Sequence, residues 1–397
     1  MGSLRAIELN SVAPADRGKG DMAESERVIL ITGWSGFVGL RLLRQLADRI
    51  RPQQHRVVLL TRPRALAAGR AQLETLRLGG EVLEGDITKM HLGLSGPEYK
   101  RLSAEVTEIW HLAGLQDVKA ASATMRAVNV EGTQTVLDLA RASHRLERLH
   151  HFSSACVSGD REGVLLEDEL DLGQGFHDVY ERAKFEAECL VRRAMAQVPA
   201  TVYRPSTLVG DSRTGEVDRF EGPYYLAILI VASPFSMPLP LPGLGLYPLN
   251  VVPVDFVVDA ALAIGANPES QGKTVHLADP APLSARKVYE LLATRAGKTL
   301  PKVALPHKPV DALLSLPLVE RLVRPQRKAI QMVNHLAIYN CQNQLALLEN
   351  TGIRCPPITS YLDRLIEFAR ASLASRPRQP GEREQDPLDP RPEPPPG

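Results

Sequence analysis

A tyrosine and a lysine stand four residues apart in the segment Tyr180-Glu-Arg-Ala-Lys184. On a helix this spacing places the two side chains on one face, one turn apart. An ammonium beside a phenol favours the phenolate, which makes Tyr180 a proton donor suited to carbonyl reduction. The sequence therefore predicts a proton-transfer site at the start of a helix over residues 180–197, with Lys184 as the tuning charge.

A serine pair upstream supplies a hydroxyl for the same chemistry. Ser153 and Ser154 end a predicted strand over residues 149–154. In open α/β sheets, ligands bind beyond the carboxyl ends of the strands. We expect Ser154 to bond the substrate oxygen and take Ser153 as the second candidate. The neighbouring His150 and His151 are interpreted as strand residues without a proton-transfer role.

Three glycines at i, i+3 and i+6 lie between a predicted strand and a predicted helix. Gly33 allows a tight turn, Gly36 lets the backbone approach a pyrophosphate, and Gly39 lets the helix pack against the strand. The start of the helix offers free N–H groups and a positive dipole end to the phosphates. The predicted cofactor contacts of this loop are Thr32, Gly33, Trp34, Ser35, Gly36, Phe37, Val38 and Gly39.

The second predicted strand, residues 56–61, ends before Arg62-Pro-Arg64 and carries no acid at that end. An NAD site usually has Asp or Glu there for the ribose 2′-hydroxyl. A guanidinium suits a 2′-phosphate, because it is a charged bidentate donor. We therefore predict NADPH as the cofactor, bound by Arg62 and Arg70. A solvated loop position is the alternative, above all for Arg64 and Arg70.

The elements that must position these residues alternate along the first half of the chain. Apolar strands are predicted at residues 27–32, 56–61, 81–85, 107–112 and 149–154, and helices at 37–49, 121–142 and 180–197. Continuous apolar strands alternating with helices are typical of a parallel sheet covered on both faces. The predicted class is α/β, a Rossmann-type doubly wound sheet with a smaller C-terminal substrate lobe.

The predicted organisation has four parts. A polar, disordered N-terminal tail covers residues 1–26 and a Pro-rich disordered tail covers 375–397. Between them lie an NADP-binding domain at 27–210, with return segments near 251–278, and an interleaved substrate lobe at 211–374. Proline and glycine become frequent in the lobe, among helices predicted at 255–265, 284–296 and 361–371.

Composition excludes several classes of function. The 397 residues carry a formal net charge of +1, so nothing favours nucleic acid. The four cysteines are scattered and indicate neither a disulfide framework nor a metal site, which favours the cytoplasm. The longest apolar run, Tyr224–Val254, is interrupted by prolines, which argues against a membrane span; they include Pro234, Pro238, Pro240, Pro242 and Pro248. Peripheral membrane contact and a dimer stay open.

Together these motifs resemble those of extended short-chain dehydrogenases/reductases. TGWSGFVG matches the TGxxGxxG motif of that family, and the order of glycine loop, Ser154 and Tyr180/Lys184 is the same. The resemblance implies that Lys184 also holds the cofactor ribose and that Tyr180 borders the cofactor. Further cofactor contacts implied by matching motifs are Asp86, Ile87, Leu112, Ala113, Gly114, Asn129, Arg204 and Pro205. It gives His111 and Asn129 supporting roles.

Within that family the chain is most similar to the fatty acyl reductase and thioester reductase branch. The shared stretches are GDITKMHLGL, YERAKFEAE, YRPSTLVGDSRTGEVDRFEGPYY and NVVPVDFVVDA. The similarity extends over residues 27–371 and is greatest to the first reductase domain of bacterial two-domain fatty acyl reductases. It implies NADPH-dependent reduction of an acyl-CoA, a carrier-protein-bound acyl chain or a fatty aldehyde.

Two other functions are compatible with the scaffold. A sugar-nucleotide epimerase or dehydratase would need polar and basic groups in the lobe, where proline and aliphatic residues stand instead. A non-catalytic NADP(H)-binding protein would typically lack the tyrosine or the lysine.

The apolar stretch at residues 226–246 is predicted as a channel wall or as core. The basic cluster Arg321, Arg324, Arg327 and Lys328 favours a solvated helix face over a phosphate grip.

Overall fold

The computed structural model describes residues 26–117, 120–217, 245–297 and 335–375. The strands are β1 (Arg27–Thr32), β2 (His55–Thr61), β3 (Gly80–Glu84), β4 (Glu108–His111), β5 (Arg148–Phe152), β6 (Gly163–Leu165), β7 (Ala200–Pro205), β8 (Thr207–Val209), β9 (Val251–Pro253), β10 (Thr274–Leu277) and β11 (Ala337–Tyr339). The helices are α1 (Phe37–Ala47), α2 (Leu66–Thr75), α3 (Gly96–Glu105), α4 (Ser122–Arg126), α5 (Gly132–Ala142), α6 (Val179–Ala194), α7 (Val254–Ala266), α8 (Ala285–Arg295), α9 (Gln342–Leu348) and α10 (Leu362–Ser375).

Within the described residues, seven strands form one sheet in the order β10-β7-β5-β4-β1-β2-β3. Every pair of neighbours in it is parallel. The predicted doubly wound parallel sheet is confirmed. The predicted strands and helices of the first half appear with small shifts at their ends. The strand expected to reach Ser154 ends at Phe152, so both serines lie just beyond it.

Alternate residues of the strands enter two apolar clusters on opposite faces of the sheet. Ile29 and Ile31 pack with helices α1 and α7, whereas Val28 and Leu30 pack with α5 and α6. Because both faces are covered, β1 and β2 are apolar along most of their length instead of alternating with polar residues. This burial holds the strand ends at fixed positions.

The helix predicted over residues 121–142 is divided. A π-helical turn at Ala127–Glu131 separates α4 from α5. Single π turns within helices frequently mark functional sites. Here the turn contains the buried Asn129, whose side chain bonds the backbone of Leu115.

The second half of the chain adds two short parallel pairs, β8–β9 and β6–β11. A third apolar cluster joins α8 and α10 through Tyr289, Leu292, Tyr361 and Leu365. No helix of the described residues is long and apolar enough to cross a membrane. Most of the apolar stretch 226–246, the basic cluster 321–328 and both predicted tails lie outside the described residues.

Candidate active site

The carboxyl ends of β1 and β4 lie side by side, and the chain leaves them in opposite directions. Such a reversal opens a crevice that binds ligands in open α/β sheets. Gly33 follows β1 with φ +72°, and a Cβ added there would lie 2.4 Å from the nitrogen of Ala113, beyond β4. A Cβ on Gly39 would lie 2.2 Å from the oxygen of Gly33. Both positions therefore require glycine for packing within the protein.

Gly36 is different. Its φ is −76°, an ordinary value, and the nearest heavy atom to an added Cβ is the Gly33 oxygen at 3.4 Å. Nothing in the described protein therefore forbids a larger residue there. The first turn of α1 holds no acid, and no side chain caps it. The protein itself does not require glycine at this position, so the requirement would come from a bound ligand. A pyrophosphate at the uncapped start of α1 would be such a ligand.

The predicted adenosine contacts lie at the end of β2. Trp34 is buried, and its ring lies 3.3 Å from a Cβ added to Gly69 of α2. Arg62 follows β2 directly and is half-buried, whereas Arg70 is exposed on α2. Arg62 is placed where a guanidinium could bind the 2′-phosphate of NADPH, and that role stays a prediction.

A chain of hydrogen bonds fixes the strand ends below the crevice. Thr133 Oγ1 donates to the carbonyl oxygen of Asn129 at 2.7 Å, so it accepts from His111 Nε2 at 3.0 Å. The other ring nitrogen, Nδ1, therefore accepts from Thr32 Oγ1 at 2.8 Å. Burial lowers the pKa of His111 to about 3, with a smaller contribution from Lys184. His111 is a neutral support, and the side chain of Thr32 lies beneath the glycine loop.

Three other predicted contacts lie close to this chain. The Asn129 amide bonds both the N–H and the carbonyl of Leu115, and a Cβ added to Gly114 would lie 3.1 Å from its Oδ1. Asp86 Oδ1 accepts bonds from the backbone and hydroxyl of Thr88. The contacts of these residues, and of Leu112, Ala113 and Ile87, with a cofactor stay predictions.

The two serines beyond β5 have separate roles. Ser153 is buried, and its hydroxyl donates to Glu188 Oε2 at 2.5 Å. Ser154 is half-buried, its Oγ accepts from the Cys156 N–H at 3.3 Å, and its hydroxyl also bonds the Cys156 side chain, without a bond to a carboxylate such as Ser153 has. Desolvation raises the pKa of Cys156 to about 12, so its thiol is neutral. Ser154 is the better candidate to contact a substrate.

Helix α6 brings the tyrosine and the lysine to this strand end. Asp178 caps the helix by accepting from the Glu181 N–H at 2.9 Å. Tyr180 is half-buried, and Lys184, one turn later, is buried. The Lys184 Nζ donates to the carbonyl oxygen of Phe152 at 2.6 Å. Burial lowers the pKa of Lys184 to about 8.

The side chain of Arg204 is held inside the protein, and a contact of this residue with the cofactor stays a prediction. The Arg204 guanidinium is buried and forms an ion pair with Glu188, which is fully buried on α6. Its remaining N–H groups donate to the carbonyl oxygens of Glu167 and Glu169 and to His276. With its donors committed to the protein, Arg204 supports the ends of β5 and β7. The adjacent Pro205 is buried at the end of β7, and its cofactor contact stays a prediction.

Sequence reasoning missed two supporting carboxylates. Glu188 stands one turn after Lys184, and an acid on the buried face of that helix was the available signal. Asp255 accepts from the backbone N–H of Ser212 at 2.8 Å and from its hydroxyl at 2.5 Å. It thereby joins two of the branch-specific stretches, GDSRTGE and NVVPVDFVVDA.

Comparison with known proteins agrees with this geometry. An NAD-binding family described as "Male sterility protein" matches residues 31–261. The chain is 27% identical to the nonribosomal peptide synthetase asaC of Aspergillus flavus over 83% of this chain and 35% of that protein. It is 28% identical to the aldehyde reductase lnaA of Aspergillus flavus over 68% of this chain and 27% of that protein. The chain thus spans about a third of the length of these relatives.

A solved structure is similar over most of its length. The terminal R domain from the myxalamid PKS-NRPS biosynthetic pathway superposes with a TM-score of 0.74 at 26% identity, covering 88% of this chain and 92% of that one.

Proposed function

The chain belongs to the NAD-binding family described as male sterility protein, and on that premise we propose that it is a nicotinamide-dependent reductase of acyl thioesters and aldehydes. The observation that carries the proposal is the bond from Lys184, one turn after Tyr180 on α6, to the carbonyl oxygen of Phe152, which ends β5 two residues before Ser154. The likeness to a terminal reductase domain and to an aldehyde reductase supports it.

The residues act on the substrate oxygen. When bound, the nicotinamide cofactor supplies a hydride to the carbonyl carbon, and the C=O electron pair moves to the oxygen. Ser154 donates a hydrogen bond that orients this oxygen, and Tyr180 gives it a proton. Lys184 stabilises the phenolate that remains. From a thioester the product is a hemithioacetal, whose C–S bond breaks to release a thiol and an aldehyde.

The charge of Lys184 sets an upper pH limit to this chemistry. Its pKa of about 8 lies below the ordinary lysine value because of burial. As the pH rises through about 8, the ammonium loses its proton and no longer stabilises the phenolate or bonds the cofactor ribose. The rate is expected to fall on that alkaline side.

We assign NADPH as the cofactor and a long acyl chain as the substrate, delivered as a thioester or as an aldehyde. Arg62 at the end of β2, with no acid beside it, supports the first assignment. The second rests on the aliphatic sequence of residues 226–246 and on likeness to the fatty acyl branch. The proposed organisation remains an NADP-binding domain at 27–210 with returning segments near 251–278, and a lobe at 211–374.

The test is oxidation of NADPH by the purified protein with acyl-CoA, carrier-bound acyl groups and fatty aldehydes offered separately. The KM is expected to fall with chain length by up to about fourfold per methylene and then to level off. UDP- and GDP-sugars should neither react nor compete. A flat dependence on chain length together with inhibition by a nucleotide sugar would favour the epimerase-like alternative.

A further inference from the structure

His151 on β5 is 1% exposed, and neither of its ring nitrogens has a partner among the described residues. The other three buried histidines of the described part are all bonded: His111, His150 and His276. A buried polar group without a hydrogen-bond partner destabilises the fold. Because no described side chain bonds the His151 ring, we look for its hydrogen-bond partner outside the described protein atoms.

The position of His151 identifies the neighbour that can supply this partner. Leu149 and His151 point to the same face of β5, and Leu149 packs in the cluster that contains Val191 of α6. Lys184 lies seven residues before Val191, on the same helix face and two turns nearer the carboxyl ends of the strands. Its Nζ bonds the carbonyl of Phe152, the residue next to His151.

Among the described charged groups, Lys184 is the one that acts on this ring. The buried Glu188–Arg204 pair lies further along the same face, where Ser153 bonds Glu188, and both Glu188 and Cys156 act on Lys184. On β4 the opposite residue is His111, with ring centroids 5.4 Å apart, and both of its nitrogens are bonded. On β7 the opposite residue is Val202, which does not titrate. Burial, and then the Lys184 charge, hold the pKa of His151 well below its usual range. The imidazole is neutral and keeps a lone pair that can accept a hydrogen bond.

We propose that His151 is a positioning residue for Lys184: its ring accepts, through one bound water, a hydrogen bond from the Lys184 ammonium. An ammonium has three N–H donors, of which one goes to the Phe152 carbonyl. The water takes the second, and the third stays directed to the cofactor and Tyr180. A water with partners of this kind satisfies buried polar groups in many proteins. The inference rests on the proposed cofactor role of Lys184 and extends it.

The proposal has a measurable consequence for the lysine charge. An acceptor beside the ammonium favours the protonated form, so His151 holds the pKa of Lys184 higher than burial alone would. We expect the affinity for NADPH, measured by cofactor fluorescence without any substrate, to fall as the pH rises through about 8. In His151→Phe this fall should begin about half to one pH unit lower, as expected for loss of one net hydrogen bond. Lys184→Met should abolish the pH-dependent step.

Two further variants separate positioning from packing. His150→Phe alters an equally buried histidine that faces the other side and bonds Tyr203 and Glu108. This variant should melt at a lower temperature, but its affinity for NADPH should fall at the same pH as that of the wild type. His151→Gln retains an acceptor and should titrate close to wild type, and melting curves confirm folding of each variant.

A His151→Phe protein that binds NADPH with the wild-type pH dependence overturns the proposal, as does a wild-type affinity that is constant through this pH range. If His151→Phe does not fold, a His151→Gln protein that titrates like wild type supports it and one that titrates at lower pH overturns it. Because no substrate is added, a failure to reduce acyl substrates would refute the proposed function while this binding experiment still decides the role of His151.

Discussion

The two halves of the candidate site are built in opposite ways. On the predicted phosphate side, beyond β1, the groups that matter are backbone atoms: Gly36 leaves its backbone uncovered, and Gly33 and Gly39 let the backbone pack closely around it. On the carbonyl side, beyond β5, they are buried charges, Lys184 and the pair of Glu188 with Arg204. Adding an atom to a site made of backbone groups blocks the approach of a ligand. Removing one charge from a buried pair destabilises the fold, because the remaining charge stays desolvated without its partner.

The largest effect is expected at the reacting hydroxyl. Tyr180→Phe removes a proton donor and keeps a ring that packs against Leu115 and Ala183. Turnover should fall by roughly two to four orders of magnitude. Affinity for NADPH and the melting temperature should stay close to wild type. A variant with more than about a tenth of wild-type activity would show that another group supplies the proton.

The second test breaks the buried charge pair. Burial alone would raise the pKa of Glu188, but Arg204, Arg192 and the Ser153 hydroxyl outweigh it and hold the pKa below its usual value. Glu188→Gln leaves Arg204 buried without its counter-charge and should lower the free energy of unfolding by about 3–5 kcal/mol. Because the pKa is lowered, this contribution is present at neutral pH and is lost as the pH falls through the lowered pKa.

The matched control is an exposed pair. Arg141 bonds Asp138 on the surface of α5 at 3.1 Å. Asp138→Asn should change the free energy of unfolding, measured by urea denaturation, by less than about 1 kcal/mol. Equal effects of the two substitutions would mean that the buried pair contributes no more than a surface pair.

The third test adds one methyl group on the phosphate side. Gly36→Ala should fold normally, since its φ is −76° and the nearest atom lies at 3.4 Å, but it should bind NADPH about ten- to a hundredfold more weakly. Gly33→Ala should instead destabilise the fold, because its Cβ would lie 2.4 Å from Ala113. Titration of cofactor fluorescence and thermal melting distinguish the two. If Gly36→Ala binds NADPH as tightly as the wild type, the pyrophosphate does not contact Gly36.

The smallest effect is expected at the edge of the phosphate side. Arg62→Glu should lower the preference for NADPH over NADH by about tenfold, because a half-buried carboxylate repels a 2′-phosphate. The measurement is the ratio of kcat/KM for the two cofactors. Arg51→Glu, an exposed change before β2, is the control and should leave the ratio unchanged. A constant ratio in both variants would exclude Arg62 as the discriminating residue.

The sequence by itself determined the local parts of this protein. Apolar runs marked the strands, the spacing of Gly33, Gly36 and Gly39 marked the strand–helix turn, and the i, i+4 spacing of Tyr180 and Lys184 marked one helix face. These features depend on residues within a few positions of one another, where backbone geometry fixes which side chains share a face.

Only the tertiary structure decided which side chains are partners. Arg204 meets Glu188 from a neighbouring strand, and Ser153 meets the same carboxylate, which leaves Ser154 for the substrate. His150 and His151 are adjacent in sequence, yet one is fully bonded and the other faces Lys184. Alternation along a strand requires that they point to opposite faces, but what covers each face depends on where distant elements pack. The energies of buried polar groups therefore could not be assigned before the fold was known.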